Sequence, residues 1–249
     1  MLSKNLTIDK ILRGKISIMQ LKEGFRFGFE AVFLAAFVNG YLKKFKKKKI
    51  SVADVGSGVG TISLIIAYLN SKINITCIEN NESYLEIANE NIAINNFQKK
   101  INIIKGDVFY IHGYLINSFD FVVTNPPFYD QKQKSSENEL DNYAKRIINY
   151  ESWIENSLKL LKDKGIIFLI IPTGLLEKSL KILNTKTGSF KIFPIWPNHK
   201  KSSKRLILFG KKGGASPTEL MSGIRLLNNE GKITKKARTY SENGIFNFL

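Results

Sequence analysis

The stretch Phe119-Asp120-Phe121-Val122-Val123-Thr124-Asn125-Pro126-Pro127-Phe128-Tyr129-Asp130 joins a short apolar run to a rigid stop. The run suits a strand buried on both faces of a parallel sheet. Two prolines end it abruptly, because neither donates to a sheet ladder and both fix φ near −65°. Pro126 also restricts the residue before it and holds Asn125 extended. The predicted product is a stiff strand end that presents an amide side chain, free carbonyls and an aromatic face. Such a set holds a planar –NH2 group: two acceptors take its two hydrogens, and a ring stacks on whatever carries it.

Outward from this strand, the chain alternates apolar runs with helical patterns. Ile50–Val55 reads as a strand that opens into Asp54-Val55-Gly56-Ser57-Gly58-Val59-Gly60, and Thr61–Leu69 as the helix after it. Ile73–Glu79 is a second strand. Glu82–Asn95 is an amphipathic helix with Leu85, Ala88, Ile92 and Asn95 on one face, and Ile101–Lys105 is a third strand. Beyond the opening stretch, Trp153–Leu161 reads as a helix stopped by Lys164-Gly165. Gly165–Pro172 is then a strand, Leu175–Leu183 a helix, and Phe190–Ile195 and Arg205–Lys211 two more strands. A further strand near Ile224–Leu227 and a short helix near Lys235–Ser241 complete the chain. Strands alternating with helices over short loops predict an α/β protein with a doubly wound, Rossmann-like, mixed seven-stranded sheet. Residues 1–40 are expected to form an N-terminal cap and leading helix on the core, and 41–249 the main domain with a C-terminal extension. Residues 131–142, polar and charged, are expected to loop out directly after the opening stretch.

The 249 residues are 43% apolar, enough for a sizeable core. No window offers ~18 uninterrupted apolar residues, and the N-terminus lacks the apolar core of a signal peptide, so a cytoplasmic protein is expected. One cysteine, Cys77, excludes an internal disulfide framework, and two histidines make a zinc site unexpected. Net charge is +17. That total fits a nucleic-acid partner, but abundant Lys, Ile and Asn also fit an AT-rich coding bias, so placement matters more than the sum. Lys43–Lys49, six lysines around Phe45, reads first as a solvated loop and second as a phosphate-contacting patch.

The glycine turn brings the first chemistry. Gly56, Gly58 and Gly60, between a strand and a helix, let a ligand approach the backbone closely. Glu79 ends the second strand at a spacing where an acid reads a ribose diol. NAD and S-adenosylmethionine both fit to this point. Asp107, after the third strand, can accept an adenine amine. Asp54, under the turn, can organise it or meet a cationic amino-acid moiety. Three acids at successive strand ends suit a cofactor with an ammonium, a ribose and an adenine, hence S-adenosylmethionine. Asn125 and the Pro126 carbonyl then hold an acceptor nitrogen, Phe128 stacks on its base, and Pro127 lines the substrate side. Alignment with the sulfonium methyl does the rest, with no metal.

On these residues the chain resembles class I S-adenosylmethionine-dependent methyltransferases that act on amino groups. More narrowly, it resembles the bacterial tRNA1(Val) adenine-37 N6-methyltransferase family. The narrower likeness also rests on Gly24-Phe25-Arg26-Phe27-Gly28-Phe29-Glu30-Ala31, on Pro194-x-x-Pro197 followed by Lys204-Arg205, and on Gly210-Lys211-Lys212-Gly213. It covers roughly Thr7 to Gly244. Glu30 stands where that family usually has Asp, and Phe128 where Tyr is commoner. The resemblance implies a class I methyltransferase fold, a tRNA substrate and methylation of adenine N6.

Lys200, Lys201, Lys204 and Arg205, with no acid from His199 to Lys212, are the candidate track for an RNA backbone. A solvated strand edge is the plainer reading of those lysines. Three alternatives keep the fold: a ribosomal guanine-N2 enzyme, a protein-glutamine N5 enzyme, and a non-catalytic RNA-binding subunit. An NAD-dependent oxidoreductase leaves Asn125–Phe128 unexplained. The expected assembly is a monomer with RNA as partner and no membrane.

Overall fold

The computed structural model describes residues 5–23, 26–45, 49–127 and 150–246. The chain begins with a hairpin of β1 (Leu6–Ile11) and β2 (Ile16–Leu21). Helix α1 (Phe29–Leu42) follows and is buried over most of its length, as its near-continuous apolar sequence requires. Then come β3 (Ile50–Val55), α2 (Thr61–Leu69), β4 (Ile73–Glu79), α3 (Glu82–Ile94), β5 (Ile101–Lys105) and β6 (Phe119–Thr124). After residue 149 stand α4 (Tyr150–Lys159), β7 (Leu161–Pro172), α5 (Leu176–Leu183), β8 (Thr187–Trp196) and β9 (Arg205–Lys212). The C-terminal part adds β10 (Glu219–Leu220), β11 (Ile224–Arg225) and α6 (Lys235–Asn243).

The main sheet has nine strands, ordered β10-β8-β9-β7-β6-β3-β4-β5, with β11 also paired to β8. Strands β3 to β7 are parallel neighbours, and β9 runs antiparallel between β7 and β8. The expected count of seven was low because β10 and β11 are two residues each, too short to show a period of two. Both anneal in parallel to the exposed side of β8. A second correction concerns the chain after Trp153. Helix α4 spans Tyr150–Lys159, not Trp153–Leu161, and β7 begins at Leu161, not Gly165. Leu161 pairs with Phe119, and the register shifts before Phe121 pairs with Ile166. Lys164, at φ 62°, and Gly165, packed against the Lys162 and Asp120 carbonyls, absorb that irregularity inside the strand.

Apolar side chains fill both faces of the sheet. One layer joins α1, α2 and the hairpin through Ile16, Ile18, Phe37, Phe121 and Phe168; the other joins α4 and α5 through Trp153, Ile154, Leu158 and Leu183. The C-terminal residues close the first layer. Phe246 is buried, with its ring centroid 4.9 Å from those of Phe37 and Phe193 and 4.6 Å from that of Tyr240. Asn39 Nδ2 donates to the Gly244 carbonyl at 3.0 Å, and Arg13 pairs with Glu242 at 3.1 Å. Among the described residues no helix is long and apolar enough to cross a membrane.

The hairpin is fastened by side-chain amides that imitate a neighbouring strand. Asn91 Oδ1 accepts from Met19 N, and Asn91 Nδ2 donates to the Met19 carbonyl; Asn95 does the same for Ser17. Asn91 Nδ2 also donates to the Val59 carbonyl at 2.9 Å, so this buried residue ties the hairpin to the glycine turn.

Candidate active site

The site lies at the carboxyl edge of the parallel strands, where βα turns of doubly wound sheets gather ligands. Val55 pairs with both Ile78 and Thr124, so the chain leaves β3, β4 and β6 side by side. Gly56, Glu79 and Asn125 therefore emerge at one level. Gly56 N and Ser57 N both donate to the Ile78 carbonyl, at 2.9 and 3.3 Å, and fix the glycine turn against β4. Gly56, Gly58 and Gly60 all have positive φ, at 68°, 54° and 84°, which explains their residue type. They differ in surroundings. A Cβ on Gly56 would stand 2.7 Å from the Trp153 ring, whereas no atom lies within 4 Å of one built on Gly58. The turn is thus packed from below and open above.

Glu79 is the centre of this turn. Its Oε2 accepts from Gly58 N at 2.8 Å, and its Oε1 accepts from Asn80 N and Asn81 N at 2.9 Å each. A carboxylate has about four acceptor sites, and three are engaged by backbone. Burial nevertheless pushes the Glu79 carboxyl above its ordinary range, against the pull of those donors. These three bonds give Glu79 a structural role in holding the turn. Asp107 likewise serves its own turn: Oδ1 accepts from Phe109 N at 2.9 Å and Oδ2 from Asn80 Nδ2 at 3.0 Å. Beside it a shallow cleft is lined by Val55, Ile78, Gly106, Asp107, Val108 and Ile111, among others.

Asp54 is fully buried beneath the turn. Its Oδ2 accepts from Ser63 Oγ at 2.6 Å, and the Cys77 thiol donates to that same hydroxyl at 3.1 Å. Its Oδ1 is buried without a hydrogen-bond partner. Burial, opposed by the Ser63 bonds and helped by the Glu79 charge, pushes the Asp54 carboxyl up to about 7. A buried acid with an orphaned oxygen lacks a cation or donor to face it.

Asn125 and Pro127 are half-buried at the end of β6, and Pro126 is buried between them. Phe128 lies outside the described residues, as do residues 131–142 and Lys46–Lys48. Of the expected RNA-facing residues, Lys200, Lys201 and Lys204 are exposed on the loop between β8 and β9. Arg205 begins β9 opposite Pro172, with its Nε 3.3 Å from Glu30 Oε1, a contact of opposite charges whose angle is poor for a hydrogen bond.

Two residues that matter here were not read from the sequence. Trp153 Nε1 donates to Thr124 Oγ1 at 3.0 Å, and Thr124 Oγ1 donates to the Val55 carbonyl at 2.9 Å. The indole therefore braces the residue before Asn125 against the residue before Gly56. Phe109, next to the Asp107 turn, packs edge-on to the same indole at 6.2 Å. A buried indole N–H needs an acceptor, and that need is the one signal that could have flagged the pair.

The profile of the methyltransferase small domain family matches residues 38–193, more than half of the chain. The chain belongs to that family. Among curated relatives, a tRNA1(Val) (adenine(37)-N6)-methyltransferase of Flavobacteriaceae bacterium strain 3519-10 is 27% identical over 233 residues, 92% of this chain and 91% of that one. One of Flavobacterium psychrophilum is 27% identical over 183 residues, 73% of this chain and 74% of that one. A crystal structure of a predicted O-methyltransferase from Agrobacterium tumefaciens superposes with a TM-score of 0.69 at 17% identity, covering 88% of this chain and 97% of that one. TYW2 of M. jannaschii, solved in complex with AdoMet, gives 0.60 at 14% identity, covering 85% and 87%. The fold of this methyltransferase is the class I fold, with a nine-stranded sheet here.

The residues present fit S-adenosylmethionine, the cofactor of methyltransferases with this fold. The space above Gly58 would admit a ligand against bare backbone, and Asp54, buried beneath the turn with one oxygen unpartnered, would favour a positive charge bound above it. The cleft beside Asp107 is lined by apolar side chains, among them Val55, Ile78, Val108 and Ile111, together with the Asp107 carboxylate, a set that suits an adenine.

Proposed function

We propose that this protein is a cytoplasmic S-adenosylmethionine-dependent methyltransferase that acts on the N6 amine of adenine 37 in a tRNA. The observation that carries the reading is the level placement of Asn125 beside Gly56, set by the pairing of Val55 with Thr124. The curated relatives that share most of this chain's length bear that activity in their names.

The cofactor, when bound, supplies an electrophilic methyl group on a sulfonium. Gly56, Gly58 and Gly60 would give it a backbone cradle, Glu79 would meet its ribose, Asp107 its adenine amine, and Asp54 would favour its positive charge from beneath the turn. Asn125 Oδ1 and the Pro126 carbonyl accept the two hydrogens of the target amine. That orientation turns the nitrogen lone pair toward the methyl and stabilises the positive charge that grows on nitrogen during transfer. The rigid Pro126-Pro127 backbone holds both acceptors in place beforehand, so little reorganisation opposes the reaction. Pro127 lines the side from which a base turned out of its stack arrives.

The Asp54 assignment has a pH signature. With a folded value near 7, Asp54 is mostly protonated at pH 6 and mostly ionised at pH 8. A cationic ligand favours the ionised form, so binding at pH 6 expels a proton and costs affinity. Cofactor affinity should rise with pH between 6 and 8, approaching about tenfold per unit below 7, the limit for one linked proton. Titration calorimetry in buffers of different ionisation enthalpy reads the proton directly. In Asp54→Asn the pH dependence should flatten; an undiminished slope would assign the titration to another group, such as Glu79.

The direct test of function uses methyl-tritiated S-adenosylmethionine and a bacterial tRNA pool, followed by nucleoside digestion and mapping. Label in N6-methyladenosine beside an anticodon is expected. Label in N2-methylguanosine, or in protein glutamine, would overturn the substrate assignment.

A further inference from the structure

The ends of the strands form an ordered row along the site edge, and its two halves carry opposite charge. From one side the row runs β5, β4, β3, β6, β7, then the start of β9, the end of β8 and β11. The first three strand ends bear Asp107, Glu79 and Asp54. Asn125 follows at β6. Beyond it stand Lys204 and Arg205 at β9, Lys200 and Lys201 on the loop from β8, and Arg225 on β11, paired with Trp196. The chain past β11 stays at this edge: Leu226 N donates to the Trp196 carbonyl and Leu227 N to the Pro197 carbonyl. Thr234 N then donates back to the Leu226 carbonyl, which brings the start of α6, Lys235 and Lys236, to the same end of the sheet.

These cations are placed at a cost to the fold. Lys235 and Lys236 are the first two residues of a helix capped by the Thr234 side chain, and its first turn has no acid. That is the positive end of the helix dipole, where acids stabilise and lysines do not. Lys200, Lys201, Lys204, Arg225, Lys235 and Lys236 form no ion pair among the described residues, and all are exposed. Residues 178–218 contain no Asp or Glu. Among the described residues, the acids near this side include Glu30, held by Arg205, Glu230, held by Lys232, Glu151, held by Lys178, and exposed Glu177 on α5.

We infer that this half of the edge is a docking surface for the phosphate backbone of the RNA, and that the C-terminal segment 224–236 is part of it. The inference rests on the tRNA reading above and assigns that reading a face. A divided edge gives each ligand its own field: a cationic cofactor goes to the acids, a polyanion to the lysines, and Asn125 stands at the boundary where the two must meet. The chain is basic throughout, so position is the discriminating variable. Lys72 and Lys99, exposed and just ahead of β4 and β5, mark the opposite edge and serve as controls.

Binding of a bacterial tRNA preparation is measured by fluorescence anisotropy across a salt series for the full chain, for K235Q/K236Q, for R225Q and for K72Q/K99Q. K235Q/K236Q should weaken binding at least about tenfold near 150 mM salt and lower the salt slope by about 1 per lysine. R225Q should act in the same direction, and K72Q/K99Q should stay within about twofold of the unmodified protein. The thermal shift produced by S-adenosylhomocysteine checks that each variant is folded. Equal losses at the two edges, or none in K235Q/K236Q and R225Q, would overturn the docking face while leaving the tRNA activity standing. Failure of the unmodified protein to bind tRNA at any salt would instead remove the functional reading, and this inference with it.

Discussion

Asn125→Ala should lower turnover by about 10²-fold or more, the loss expected from removing one preorganised acceptor that works only as charge develops. Cofactor affinity should stay within about threefold, because the glycine turn and its acids lie on other strands. The substitution also leaves the strand end intact: Pro126 and Pro127 still fix the backbone, and Thr124 keeps its bond to Val55. Asn125→Asp is the informative companion. A carboxylate still accepts the hydrogen that Asn125 Oδ1 takes, so it should keep more activity than alanine. Steady-state transfer of tritiated methyl, paired with calorimetric titration of the cofactor, separates the two effects. Unchanged turnover in Asn125→Ala would place the acceptor site elsewhere.

The second large effect is on the other side of the reaction. Glu79→Ala should weaken cofactor binding by about 100-fold or more. The carboxylate holds three backbone N–H groups, those of Gly58, Asn80 and Asn81, and hydrogen bonds to a charged group contribute roughly 1.5–3 kcal/mol each. Without it the turn loses its clamp and the three donors are left unpaired, before any contact with a ribose is counted. Glu79→Gln should fall between, since its single carbonyl oxygen replaces only part of the set. The check is cofactor affinity by calorimetry alongside melting temperature. Should Glu79→Ala bind the cofactor as tightly as the parent, Glu79 would have no part in the cradle.

The contrast between the two residues explains what the sequence could and could not reveal. The strands β3, β4, β5 and β6 were readable to the residue, because each is an apolar run ended by glycine, acid or proline. The glycines of the turn announced their positive φ by their type. What pattern does not carry is which donor a buried carboxylate takes. Glu79 looked like a reader of hydroxyls, and nothing local says that its oxygens already serve Gly58, Asn80 and Asn81. The link from Trp153 to Thr124 joins positions 29 apart, and Asn91 reaches Met19 across 72. Such pairs depend on tertiary packing, not on periodicity. The end of α4 was misplaced for a related reason. Leu158, Leu160 and Leu161 fit a helix face as well as a strand start, and only the pairing of Leu161 with Phe119 decides between them.

The plug formed by Phe246 bears on how the protein is made. Its ring fills the space between Phe37 and Phe193, so a core layer begun near residue 30 is finished by a side chain more than two hundred positions later. Contacts that distant in sequence form late, after the loops between them have closed. During synthesis, the helix that carries Phe37 and Asn39 must wait, apolar and unsealed, until Gly244 and Phe246 have left the ribosome. A nascent chain stalled before Gly244 would leave Asn39 without its carbonyl and Phe37 facing water. The layer that supports the glycine turn would then still be open, so competence to methylate arrives only after Phe246 has docked.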